Sequence, residues 1–134
     1  MNLVDSCGWI EYLLDTPRAE LFAAAIEQRE DLLVPVIALY EVHKVLTGKL
    51  PADVVATTLD VMRLGRVLDL TDSRTVAAAN IAFRHRLTMA DAVMYSMALE
   101  HRATFWTQDV DYQGLPSVTC FPKGWLRASN IASP

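Results

Sequence analysis

Short β-type runs alternate with longer stretches of helical periodicity along this chain, and that order leaves few folds open. The runs are Leu3-Val4, Leu32-Leu33-Val34, Val67-Leu68, Thr104-Phe105-Trp106 and Val118-Thr119-Cys120-Phe121. Repeated strand–helix–strand units favour a parallel sheet covered by helices on both faces, an α/β sandwich. Between the runs, Ser6 to Leu14 carries Trp9, Ile10, Leu13 and Leu14 along one helical stripe. Thr16 as N-cap and Pro17 as first residue predict a helix over Arg18 to Gln28, with Leu21, Phe22, Ala25 and Ile26 facing the core. Ile37 to Thr47 has helical spacing and stops at Gly48, and Pro51 opens a helix to about Leu64 closed by Gly65. Thr71 or Asp72 caps a helix through about Phe83, and Thr88 caps another through about Glu100.

Composition sets limits on this picture. At 134 residues, 52% hydrophobic and 21% charged, the chain is read as one globular domain with a sizeable core. The longest nearly unbroken apolar stretch, Leu32 to Tyr40, contains Pro35 and is far short of the ~20 residues that cross a bilayer, so no membrane span is expected. No basic segment precedes an apolar run at the amino terminus, which makes the cytoplasm the expected location and free thiols the expected state of Cys7 and Cys120. A formal net charge of -4 argues against coating nucleic acid by bulk electrostatics. Acids gathered around divalent cations would be neutralised locally, however, and Arg84-His85-Arg86 is a basic cluster just before one candidate acid. Those cations serve either the dipole of a helix end or contact with phosphates.

Asp5, Glu41, Asp91, Asp109 and Asp111 sit inside or beside the most apolar stretches, where a carboxylate is costly without a cation or a donor. Asp5 and Asp109 lie just past strand ends, where parallel sheets gather their ligands. Each acid also has a structural reading. Asp5 precedes a helix and can cap it; Thr88-Met89-Ala90-Asp91 fits a capping box; Asp109 and Asp111 suit Asx turns. Glu41 shares a helix face with Ile37 and Val45, so it needs either a salt-bridge partner or a metal.

Taken together, Asn2-Leu3-Val4-Asp5-Ser6 with Trp9-Ile10-Glu11, Glu41 in a helix, Asp91-Ala92 opening a late helix, and Thr107-Gln108-Asp109-Val110-Asp111-Tyr112 after a strand resemble a PIN-domain ribonuclease. Within that family the chain looks most like the VapC-type toxins of bacterial toxin–antitoxin pairs. The resemblance spans about residues 1 to 121, and the tail 122–134 matches nothing; Cys7 and Tyr112 depart from the common small polar residue and Phe. It implies a three-layer α/β/α sandwich with a central, mainly parallel sheet of four to five strands.

The same resemblance implies Mg2+- or Mn2+-dependent hydrolysis of RNA phosphodiesters, leaving 5′-phosphate and 3′-hydroxyl ends. Asp5, Asp91 and Asp109 would bind metal, Glu41 would act directly, through water or as the base, and Asp111 is a further acid. Ser6 and Thr107 would orient a carboxylate or water, while Arg84 and Arg86 are the candidate RNA contacts. Implied partners are RNA, a cognate antitoxin and a second copy of the chain. Apolar residues such as Leu21, Phe22, Ala25, Ile26, Val54, Val55, Leu59 and Met62 would serve core, dimer or antitoxin, and Trp125 and Leu126 a dimer or the last strand. Two other classes stay open: a PIN-like nuclease of RNA processing or decay, and a non-catalytic α/β domain that binds a partner.

Overall fold

A computed structural model describes residues 1–124, so Trp125, Leu126 and the rest of the tail lie outside the described residues. The elements follow in the order β1 (Asn2–Val4), α1 (Ser6–Leu13), α2 (Ala19–Glu27), β2 (Leu32–Pro35), α3 (Val36–Thr47) and α4 (Ala52–Met62). Then come β3 (Arg66–Leu68), α5 (Asp72–His85), α6 (Met89–Glu100), β4 (Thr104–Thr107) and β5 (Val118–Cys120). The five strands form one sheet in the order β3-β2-β1-β4-β5. All neighbouring pairs are parallel. With its helices the sheet makes the PIN-like α/β/α sandwich expected from the sequence.

Strand order locates the ligand-binding end. The chain leaves β1 for β2 and β3 on one side, then returns to place β4 and β5 on the other, so the switch point lies between β1 and β4. There Val4 pairs with Trp106 and the Asp5 backbone N–H donates to the Trp106 carbonyl at 2.9 Å. The inner strands are apolar because both of their faces are covered: Leu3, Val4, Leu33, Val34 and Phe105 are buried. Helix α6 is buried along Ala92 to Ala98 and packs against β1, β4 and α3, bringing its first turn to the strand ends. Among the described residues no helix is long and apolar enough to cross a membrane.

Local boundaries shift for identifiable reasons. Helix α2 starts at Ala19 because the Thr16 hydroxyl accepts the Arg18 N–H at 3.2 Å in a turn ahead of it. Helix α4 ends at Met62, and Gly65 is there for close packing: a Cβ at that position would meet Val34 Cγ2 at 2.9 Å. Helix α5 continues past Phe83 to His85, closed by Arg86 in the left-handed region at φ 56°. The Thr71 hydroxyl caps α5 by accepting the Arg74 N–H.

Candidate active site

Asp5 is the most buried of the five acids, 3% exposed at the end of β1. It caps α1 as its position suggested, Oδ1 accepting the Ser6 N–H at 2.8 Å. Its other oxygen faces the next strand. Oδ2 accepts the Thr107 hydroxyl at 2.8 Å and the Cys7 thiol at 3.3 Å. Burial, with the nearby Asp91 charge adding to it against these donors, pushes the Asp5 carboxyl up to about 6. Burial, then the Asp5 charge, also pushes the Cys7 thiol up, so it stays protonated beside the acid.

The remaining acids reach the same end of the sheet from separate elements. Thr107, fully buried, accepts the Asp109 backbone N–H at 3.0 Å while donating to Asp5, so one hydroxyl links both strand-end acids. Asp109 Oδ1 accepts the Asp111 N–H at 2.9 Å, an Asx turn that opens a single 3-10 turn over Val110–Tyr112. Asp111 itself is exposed. Asp91, in the first turn of α6, is half-buried. The capping-box alternative does not hold on its Thr88 side, because that hydroxyl makes no capping hydrogen bond.

Glu41 is placed differently from the sequence expectation of a buried apolar face. It is half-buried, as are Ile37 and Val45. Its partner is neither an Arg nor a Lys but the Ser6 hydroxyl, which donates to Oε1 at 2.8 Å and ties α1 to α3. Cys7 and Cys120 are free thiols. Arg84 and Arg86 are exposed at the end of α5 and make no ion pair among the described residues.

Tyr112 gathers the cluster. Its hydroxyl is buried, and the charges of Asp5, Asp91 and Asp109 all act on it; burial first, then these charges, push the phenol far up. The charges of three carboxylates, on a strand end, a helix start and a loop, thus all reach one hydroxyl.

Two features were invisible in the sequence pattern. Arg18, on the turn before α2, donates to Gln108 Oε1 at 2.7 Å, to the Phe121 carbonyl at 2.6 Å and to the Lys123 carbonyl at 3.2 Å. It also faces Glu11 at 3.6 Å. This guanidinium clamps the segment after β5 onto the loop that carries Asp109. Beside that loop a groove of about 410 Å³ is lined by Cys7, Gln108, Asp109, Val110 and Lys123. The Arg18 partners lie about 90 to 105 positions away, beyond any local motif.

The donor set suits a hard cation. Every candidate ligand is a carboxylate or hydroxyl oxygen, the type Mg2+ and Mn2+ prefer. Among the described residues no three Asp, Glu, His or Cys side chains close tightly enough to enclose an ion by themselves. Mg2+ does not require such a cage, since it keeps several waters and takes one or two carboxylates. Asp5, buried with the Asp91 charge acting on it and with no cationic partner among the described residues, is a carboxylate that a bound cation would stabilise.

The PIN-domain family model matches residues 3–116. The chain belongs to the PIN-domain family. PIN-domain proteins are nucleases, and membership supports that class for this chain. The fold of this PIN domain is similar to that of a toxin–antitoxin complex from Klebsiella pneumoniae, at TM-score 0.76 and 18% identity, covering 91% of this chain and 99% of that one. It is also similar to VapBC2 from Rickettsia felis, solved bound to a promoter DNA fragment (TM-score 0.69, 12% identity, 90% and 97% covered). A third similar structure is VapC20 of Mycobacterium tuberculosis, described as a sarcin–ricin loop cleaving toxin (TM-score 0.67, 14% identity, 96% and 95% covered). No curated protein matches this PIN domain in sequence.

Proposed function

We propose that this PIN domain is a metal-dependent endoribonuclease acting as the toxin of a toxin–antitoxin pair. The observation that carries the reading is the Thr107 hydroxyl joining Asp5 to Asp109 at the β1/β4 switch point, with the Asp91 charge acting on Asp5. Similar folds in toxin–antitoxin complexes support the toxin role.

Asp5, Asp91 and Asp109 would hold Mg2+ or Mn2+, with Glu41 direct or through water and Asp111 at the rim. Bound there, the cation would make a water easier to deprotonate and offset charge on the phosphate oxygens. The protein's residues supply the rest. Glu41 receives Ser6 on Oε1, which leaves Oε2 to take the proton of the attacking water. The water oxygen bonds to phosphorus, the bond to the 3′ oxygen breaks and that oxygen takes a proton from solvent, so 5′-phosphate and 3′-hydroxyl ends result. Thr107 holds Asp5 and the Asp109 backbone in register throughout. The groove lined by Gln108, Asp109 and Lys123 would receive the RNA backbone, with the Lys123 ammonium against a phosphate and Arg84 and Arg86 as more distant contacts.

A second groove, of about 690 Å³, runs among α1, α2 and α4; Leu13, Ala19, Ala23, Val54 and Val61 line it together with Asp15, Glu20, Glu27 and Arg29. An antitoxin's carboxy-terminal segment would lie in it. The domain would act as a homodimer on RNA. The test is cleavage of total RNA by purified protein with Mg2+ or Mn2+, abolished by EDTA and by co-purified antitoxin.

A further inference from the structure

The Tyr112 hydroxyl and the Trp9 indole nitrogen are the two buried side-chain polar atoms without a hydrogen-bond partner among the described residues. Their surroundings set them apart. Trp9 lies in the apolar core, edge-on to Tyr12. The charges of Asp5, Asp91 and Asp109 all act on Tyr112, and Asp91 is its side-chain neighbour, yet the two do not meet hydrogen-bonding geometry.

The ring has no freedom to seek water. Tyr112 is 0% exposed, packed against Phe105 at 4.7 Å between ring centroids and against Tyr95 at 6.0 Å. Its backbone ends the 3-10 turn that Asp109 opens. Phe would fill the same space and strand no polar atom. A buried hydroxyl without a partner is unfavourable, so the oxygen needs a use in another state of the site.

We infer that Tyr112 is a positioning residue for Asp91, its hydroxyl donating to the Asp91 carboxylate when that side chain turns to hold a divalent cation. A carboxylate can only accept, and amid three negative charges the phenol can only donate, so the pairing has one sense. With one Asp91 oxygen held by Tyr112, the other points at the ion instead of pivoting. Such orientation by a neighbour outside the ligand set is what fixes metal affinity. The inference rests on the metal-dependent reading of the acids, but not on RNA as substrate.

Tyr112→Phe tests it, because the ring and its packing are kept. Calorimetric titration with Mn2+ is expected to show affinity weakened roughly tenfold or more. In RNA cleavage kcat is expected to fall while KM holds, and the metal-free variant is expected to melt at the same or a higher temperature. A variant that binds Mn2+ and cleaves as the wild type does overturns the inference. So does one that only melts lower with its Mn2+ affinity intact, since that is a packing role. A wild type that binds Mn2+ but cuts no RNA overturns the nuclease reading alone, and the titration still decides Tyr112. A wild type that binds no Mn2+ overturns both.

Discussion

The Thr107 hydroxyl donates to Asp5 Oδ2 at 2.8 Å and accepts the Asp109 N–H at 3.0 Å. One fully buried oxygen thus sets the spacing between the acid after β1 and the acid after β4. Thr107→Val keeps the shape and removes both bonds. It is expected to lower cleavage by about 10- to 100-fold and stability by about 1–3 kcal/mol. Urea unfolding and single-turnover kinetics measure the two effects separately.

Asp5 makes metal-free stability depend on pH. Its carboxyl is raised from 3.8 to about 6, chiefly by burial. Between those values the folded state keeps a proton that the unfolded chain has released, so stability falls as pH rises through the window and levels off above it. The swing is on the order of 3 kcal/mol. Unfolding in EDTA on either side of the window should show this decline, and Asp5→Asn should flatten it and be the more stable protein above pH 6. A wild-type profile that is flat, or that rises with pH, counts against a buried, protonated Asp5.

Arg18 should matter for order after β5 more than for the core. Its guanidinium satisfies Gln108 and two backbone carbonyls with the side chain 12% exposed. Arg18→Met is expected to cost about 2 kcal/mol and to speed tryptic cleavage after Lys123. Arg18→Lys should not restore protection, because an ammonium cannot span the same fork of acceptors. Equal proteolysis rates in all three proteins would remove the clamp.

Lys123 tests where the RNA backbone lies. Lys123→Gln should raise KM with kcat unchanged and reduce the salt dependence of RNA binding by a slope of about 1. Lys49→Gln, an exposed lysine after α3, should do neither. Identical salt slopes for the two variants would place the RNA elsewhere.

The architecture was legible because its signals are local. Strand runs and helical stripes put every element within a few residues of its observed place, and strand–helix alternation gave the parallel sheet with helices on both faces, though not its strand order. Gly65 shows the limit: it reads as a helix stop, whereas the fold needs it where Val34 passes 2.9 Å from a would-be Cβ. The acids were legible as an ordered set, but their partners were not. Ser6 beneath Glu41 and Arg18 on Gln108 are bonds across 35 and 90 positions, which no periodicity encodes. Asp91 carried a capping signature that its Thr88 hydroxyl does not complete. Tyr112 read as a conservative stand-in for Phe, and only burial without a partner shows that its hydroxyl matters.

The central claim is that Asp5, Asp91 and Asp109 form one metal-binding active site, and Asp91 is the member to change. Purified wild-type protein and Asp91→Asn should be compared for RNA cleavage in Mg2+ or Mn2+, each with an EDTA control. The account predicts cleavage by the wild type that EDTA abolishes, and a loss of at least about 100-fold in the variant with its fold intact or stabilised. An Asp91→Asn protein that cuts RNA at the wild-type rate would contradict it.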